Sequence, residues 1–257
     1  MTLAVLALAC LLAPPGAAAE NAASFETQAA GVEEAARRMF QNWNARAAGA
    51  PADFKAAPSP ADEIQPAGLP ALGKWMLDSK GYVADWLGDR RQGKLFAEPI
   101  NVVLQVDTSD PEIARAKLIG AAREAGFTDQ YGHTSGYQAR LAGELTRQYP
   151  DRPEHAFSDG SFLSPNDHGR LFGPVLWRGR EYFIGAFSRE HGPILSLPSI
   201  KFRHRYMSFV QARERLVSRM TSARFKGYVE MENAISPSDP ARTTGDHDGR
   251  AALFELE

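Results

Sequence analysis

The sequence predicts an α/β protein, a mixed sheet with helices packed on it, preceded by an N-terminal helical segment. Three observations predict it. Asn101-Val-Val-Leu-Gln-Val106 is a β-branched run followed directly by a helix-start pattern. Val175–Trp177 and Glu181–Phe187 flank Arg178-Gly179 as two strands flank a hairpin turn. Ser208-Phe-Val-Gln211 is a capping box set between strand-like segments. Strands and helices mixed in this order argue for one sheet with helices laid on it.

The elements follow in order. Met1–Ala19 has no charged side chain, an apolar run from Leu3 to Ala13, a Pro14-Pro15-Gly16 break and the small residues Ala17–Ala19. This predicts a signal peptide too short to span a bilayer, although no basic residue follows Met1. Leu8-Ala9-Cys10 offers the alternative of a lipoprotein box, with almost no apolar core ahead of it. Cleavage after Ala19 removes Cys10, the only cysteine, and leaves about 238 residues for a periplasmic or secreted protein. Cysteine catalysis and zinc–thiolate sites are thereby excluded from the mature chain. A net charge of −2 gives no basic field for nucleic acid, and no later stretch is apolar enough to cross a membrane.

Thr27–Ala47 repeats apolar residues at three- and four-residue spacing (Val32, Ala36, Met39, Phe40, Trp43) and predicts an amphipathic helix. Gly49–Pro70 is rich in Ala and Pro and reads as linker, so residues 20–69 form a prefix and 70–257 the domain. Leu72–Leu87, with Trp75, Met76, Tyr82 and Trp86, predicts a helix broken near Gly81. After the strand at 101–106, Ser109-Asp-Pro-Glu112 predicts a helix start with proline in the first turn, running to Ala125 and stopping at Gly126. Tyr137, Leu141 and Leu145 make a shorter helix face, and Tyr149–Arg170 reads as polar and irregular. Beyond the hairpin, Arg203–Met207 predicts a strand. The helix opened by Ser208 turns Phe209, Ala212, Leu216 and Met220 inward, and Phe225–Glu232 and Ala251–Leu256 close the sheet.

From about residue 70 onward the chain resembles the LssY-like C-terminal domain family and its stand-alone secreted relatives. The strand and helix from Asn101, Tyr182-Phe-Ile-Gly-Ala-Phe-Ser-Arg-Glu190, His204-Arg-Tyr-Met-Ser-Phe-Val-Gln-Ala-Arg213 and Thr243-Thr-Gly-Asp-His-Asp-Gly-Arg250 carry the likeness in order and spacing. The resemblance implies a place in the cell envelope and no defined chemistry. The phosphatase-type membrane domains that often accompany that family are absent from this sequence, so their activity does not transfer.

The sequence has no His-Glu-x-x-His, Gly-x-Ser-x-Gly, phosphate-binding Gly-Lys-Ser/Thr or dinucleotide fingerprint. What remains is polar residues in expected loops. His133 and Ser135 precede one predicted helix, Asp159, Ser161, Asn166, Asp167 and His168 fill the irregular stretch, His204 lies near a strand, and Asp246, His247 and Asp248 lie in the last turn. Converging at strand ends, His133, Asp159, His168 and His204 would form a catalytic group. Asp246 and Asp248 are the candidate metal ligands, for a divalent cation that activates water. Without metal, a histidine with a carboxylate partner would serve as general base for Ser161. The same Asp-Gly and Asn-Asp pairs are also ordinary turn formers.

Thr244–Glu255 places oxygen-bearing residues at calcium-loop spacing with Gly249 sixth, but Thr stands where Asp is wanted, and a strand-joining turn accounts for it better. Trp177, Tyr182, Phe183, Phe187, Tyr206 and Phe209 are either core or the lining of a ligand cleft. Two functions therefore stand side by side. One is an exported binding or accessory protein taking a small-molecule, lipid or envelope-polymer ligand; the other is a hydrolase using loop His and Asp residues, with or without a divalent metal.

Overall fold

The computed structural model describes residues 62–131, 136–152, 155–161, 164–196 and 201–257. Contacts divide the chain into Met1–Ala45 and Arg46–Glu257, and every described residue belongs to the second unit. The expected leader, the helix at Thr27–Ala47 and most of the linker lie outside the described residues.

The elements are β1 (Glu63–Ile64), β2 (Leu72–Gly73), β3 (Asp85–Arg91), β4 (Lys94–Ala97), β5 (Val102–Val106), α1 (Pro111–Glu124), β6 (Thr128–Tyr131), β7 (Gln138–Leu141) and β8 (Glu144–Tyr149). There follow β9 (His155–Ser158), β10 (Asn166–Trp177), β11 (Arg180–Ser196), β12 (Lys201–Ser208), α2 (Phe209–Arg219), β13 (Arg224–Glu230), β14 (Arg242–Thr243) and β15 (Arg250–Leu256). The mixed sheet and packed helices are as expected, but strands dominate, and α1 and α2 are the only helices among the described residues.

One sheet runs β1-β2-β7-β8-β10-β11-β5-β15-β13, with β12 on β11 and β6-β9 on β10; a three-stranded sheet runs β14-β4-β3. β5 lies between β11, antiparallel, and β15, parallel, and is buried on both faces as its β-branched run requires. Asn101 extends that ladder with its side chain: Nδ2 donates to the Phe187 carbonyl at 2.8 Å and Oδ1 accepts from the Phe187 N–H at 2.9 Å.

Alternation along the strands builds two cores. Val102, Leu104, Phe183, Leu171 and Phe254 point toward Ala114 and Leu118 of α1 and Ala212 and Leu216 of α2. Val103, Ile184, Tyr182, Phe172 and Ala251 point the other way, onto Leu72, Met76, Ala139 and Leu141. α1 opens at Asp110 rather than Ser109: the Asp110 carboxylate accepts from the N–H groups of Glu112 and Ile113, and Gly126 at φ +85 follows the helix end. α2 opens at Ser208 as expected, its Oγ accepting from the Gln211 N–H at 2.8 Å.

Three expectations are corrected. Leu72–Leu87 is not helical, because the Asp78 carboxylate takes the N–H groups of Lys80 and Tyr82 and folds a turn there, while Met76 and Ala84 hydrogen-bond across it. Tyr137–Leu145 is the hairpin β7–β8, turned at Ala142 and Gly143, both at positive φ. Leu145 is exposed rather than inward. Tyr149–Arg170 contains β9 and the start of β10, where Ser158, Asn166, Asp167, His168 and Arg170 are buried among partners inside the molecule rather than facing water.

Candidate functional site

The long hairpin β10–β11 carries polar side chains on both faces. Its register pairs Asn166 with Glu190, Asp167 with Arg189, His168 with Ser188 and Arg170 with Ala186. Asn166, His168, Arg170, Ser188 and Glu190 therefore share the face that also bears Phe172 and Ile184, and Asp167 and Arg189 share the face toward α2.

On the first face, His168 Nδ1 lies 3.6 Å from Glu190 Oε1, and Asn166 Nδ2 lies 3.5 Å from the same oxygen. Arg170 stacks over the Tyr137 ring, its guanidinium carbon 4.5 Å from the centroid. Glu98 lies just past β4; its backbone N–H donates to the Ala84 carbonyl and its carbonyl accepts from the Met76 N–H. Burial pushes the Glu98 carboxyl up to about 7, Arg170 pulls it down, and Asp85 and Glu190 push it further up. Such a carboxyl, acted on by an arginine and two further carboxyls, is a group of perturbed titration, the kind that functional sites collect.

On the second face, Arg189 Nη1 donates to both Asp167 oxygens, and Arg215 of α2 donates to Asp167 Oδ2 at 2.8 Å. Asp159 accepts from the Asp167 N–H at 2.7 Å and from Arg219 at 2.8 Å. Burial, then the Asp159 charge, raises the Asp167 carboxyl above its usual range, against the pull of Arg215 and Arg189. Asp159 and His168 thus stand on opposite sides of the sheet, and the expected convergence of these two does not occur. Ser161 is exposed, and its carbonyl accepts from Asn166 and from the Ser164 backbone.

His133 lies outside the described residues; His204 lies on β12, and its side chain is likewise outside them. Asp246 sits at the start of α2, accepting from Tyr206, Ser208 and, at 2.8 Å, the Phe209 N–H. Asp248 takes a two-pronged contact from Arg213 at 2.6 and 2.9 Å. The two candidate metal ligands are spent on different protein donors, and among the described residues no group of three His, Cys, Asp or Glu is placed to hold a metal ion. Glu255 faces Arg224, Lys226 and Gln105 from β15, and Arg250 pairs with Glu230 across the strands at 2.7 Å.

His247, between the two aspartates, is neutral and structural. Asn233 Nδ2 donates to the carbonyls of Lys74 and Ile100, so its Oδ1 is left to accept from His247 Nε2 at 2.6 Å. Burial pushes that imidazole down to about 4.

Two features escaped the sequence reading. His155 Nδ1 lies 2.7 Å from Asp129 Oδ1 across β9 and β6, a histidine oriented by a carboxylate. A cleft of about 550 Å³ is lined by Pro66–Leu69, Val229, Glu230, Gln105 and Leu253. Gln105 is held in place, accepting from the Tyr182 hydroxyl at 3.3 Å and donating to Glu255 at 3.1 Å. Only the brief apolar stretch at Gly68-Leu69 and a lone glutamine in a β-branched strand hint at this cleft in the sequence.

The chain matches no family model, no curated protein and no solved structure.

Proposed function

We propose that the chain is an exported binding or accessory protein of the cell envelope, with the cleft lined by Pro66–Leu69 and Val229–Glu230 as its ligand seat. The cleft carries this reading: at about 550 Å³ it falls in the size range of small-molecule sites. Leu69, Val229 and Leu253 offer apolar contact, and the fixed Gln105 amide has a further N–H and lone pair to offer. That chemistry suits an amphiphilic ligand with an apolar body and one amide or hydroxyl group, as envelope lipids and polymers have. The charge-free leader-like stretch at Met1–Ala19 and the resemblance to the LssY-like C-terminal domain family support the envelope setting. The test is a thermal-shift screen with fatty acids, lysophospholipids and envelope oligosaccharides. A ligand that raises Tm in the wild type and loses its effect in Gln105→Ala and Leu253→Arg supports the reading; a shift that both variants retain places the ligand elsewhere.

One observation favours a hydrolase as a second reading, the His155–Asp129 pair at 2.7 Å. A carboxylate on Nδ1 fixes the tautomer that leaves Nε2 as the basic nitrogen, the arrangement of a general base. Hydrolysis of phosphate or carboxylic esters that disappears in His155→Gln would establish it, and assays with and without chelator would decide on a metal.

A further inference from the structure

We propose that Arg189, Arg215 and Arg219 form a binding site for a phosphate group on the α2 side of the sheet, independent of the cleft. Arg215 and Arg219 stand one turn apart on α2 and so share a face, and Arg189 meets them from β11. Single carboxylate oxygens link the three. Asp167 Oδ2 lies 3.0 Å from Arg189 Nη1 and 2.8 Å from Arg215 Nη1. Asp159 Oδ2 lies 3.8 Å from Arg215 Nη1 and 2.8 Å from Arg219 Nη1. Every one of these contacts comes from Nη1, so Nε and Nη2 of all three guanidinium groups have no protein acceptor among the described residues.

The Asp167 side chain has no exposed surface and that of Asp159 is 10 % exposed, whereas Arg215 and Arg219 are 37 % and 40 % exposed. The carboxylates thus lie inward of the cations. Three positive charges meet two negative ones, and the excess is on the outer side. Glu214, next to Arg215 in the chain, does not answer it, since it is bound to Arg213 at 2.8 Å and to Tyr228 at 2.7 Å. A phosphate group suits what is left, because its several oxygens can accept from the planar forks of more than one guanidinium, where chloride meets each only as a point charge. The inner carboxylates also hold the arginines in place before a ligand arrives, which removes part of the ordering cost of binding.

Isothermal titration calorimetry with inorganic phosphate and with glycerol phosphate, at an ionic strength matched with sodium chloride, tests the site. The wild type should bind at least one of them; binding of the ester alone would place the phosphate on a larger molecule. Arg219→Gln, at an exposed side chain, should weaken that binding about 10-fold. Asp159→Asn should do the opposite and tighten it, because the competing charge is gone while an oxygen remains to accept from the Asp167 N–H. A network whose role ended at joining hairpin and helix would give no heat in any of these titrations. Urea unfolding in chloride checks that each variant is folded. No binding of either probe by the wild type would overturn the site. So would binding that Arg219→Gln keeps in full, or that a folded Asp159→Asn weakens.

Discussion

Asp167 and Arg189 face one another across β10 and β11, and a single guanidinium nitrogen of Arg189 reaches both carboxylate oxygens, at 3.1 and 3.0 Å. Arg215 completes the group from α2, so the hairpin and the helix are joined through a carboxylate with no exposed surface. Asp167→Ala takes this anion from the Arg189 guanidinium and leaves Arg215 only the more distant Asp159, at 3.8 Å. The expected loss is about 3–5 kcal/mol in urea unfolding. Asp159→Ala, at the edge of the network, should cost clearly less.

Gly169 is opposite Phe187 in the same hairpin, and a Cβ there would come within 2.3 Å of the Phe187 ring and 2.6 Å of the Ala186 carbonyl oxygen. Backbone cannot yield as a flexible side chain does. Gly169→Ala is expected to destabilise by about 1–3 kcal/mol, measured by the same unfolding experiment.

His247 gives stability a dependence on acid. Its folded value of about 4 is below the ordinary 6.5, so the unfolded chain takes up a proton first as pH falls. The contribution is complete above about pH 6.5, is lost progressively toward pH 4, and amounts to about 3 kcal/mol. His247→Gln should flatten the stability profile in that window, as read from denaturant midpoints at successive pH values.

Asp246 and Asp248 serve as ties between the last turn and α2. Addition of EDTA or of calcium should therefore leave Tm unchanged. Asp246→Ala should cost about 1–2 kcal/mol through the lost bond at the helix start, visible as a lowered Tm in either medium.

The strands and caps that carry their own local chemistry were legible in the sequence. Val102–Val106, Ser208 with Gln211, and Arg178-Gly179 all match the structure because each is decided by residues a few positions apart. The turns at Gln92-Gly93 and Ala142-Gly143 have the same positive-φ pair as Arg178-Gly179, but neither has the Asn or Asp that usually announces it. Asn166–Arg170 read as loop because polar residues usually seek water; here each one meets a partner from a distant segment. Glu98 had no sequence signal, since its surroundings come from β3, β10 and β11. Of the expected site, His168 lies in a buried ionisable group, whereas Asp159, just past β9, is held on the opposite side by the Asp167 N–H and Arg219.

That alternation bears on how the chain can change over generations. Between Asn166 and Phe172, odd and even positions belong to two unrelated charge systems that share one backbone. Point substitutions there can be absorbed one system at a time. A single-residue insertion cannot: it would turn Asp167 toward Glu190 and Arg170 toward α2, setting like charges together on both sides. Length variation among descendants of this protein should therefore be confined to the turns, with the Asn166–Phe172 stretch kept constant in length even where its residues differ.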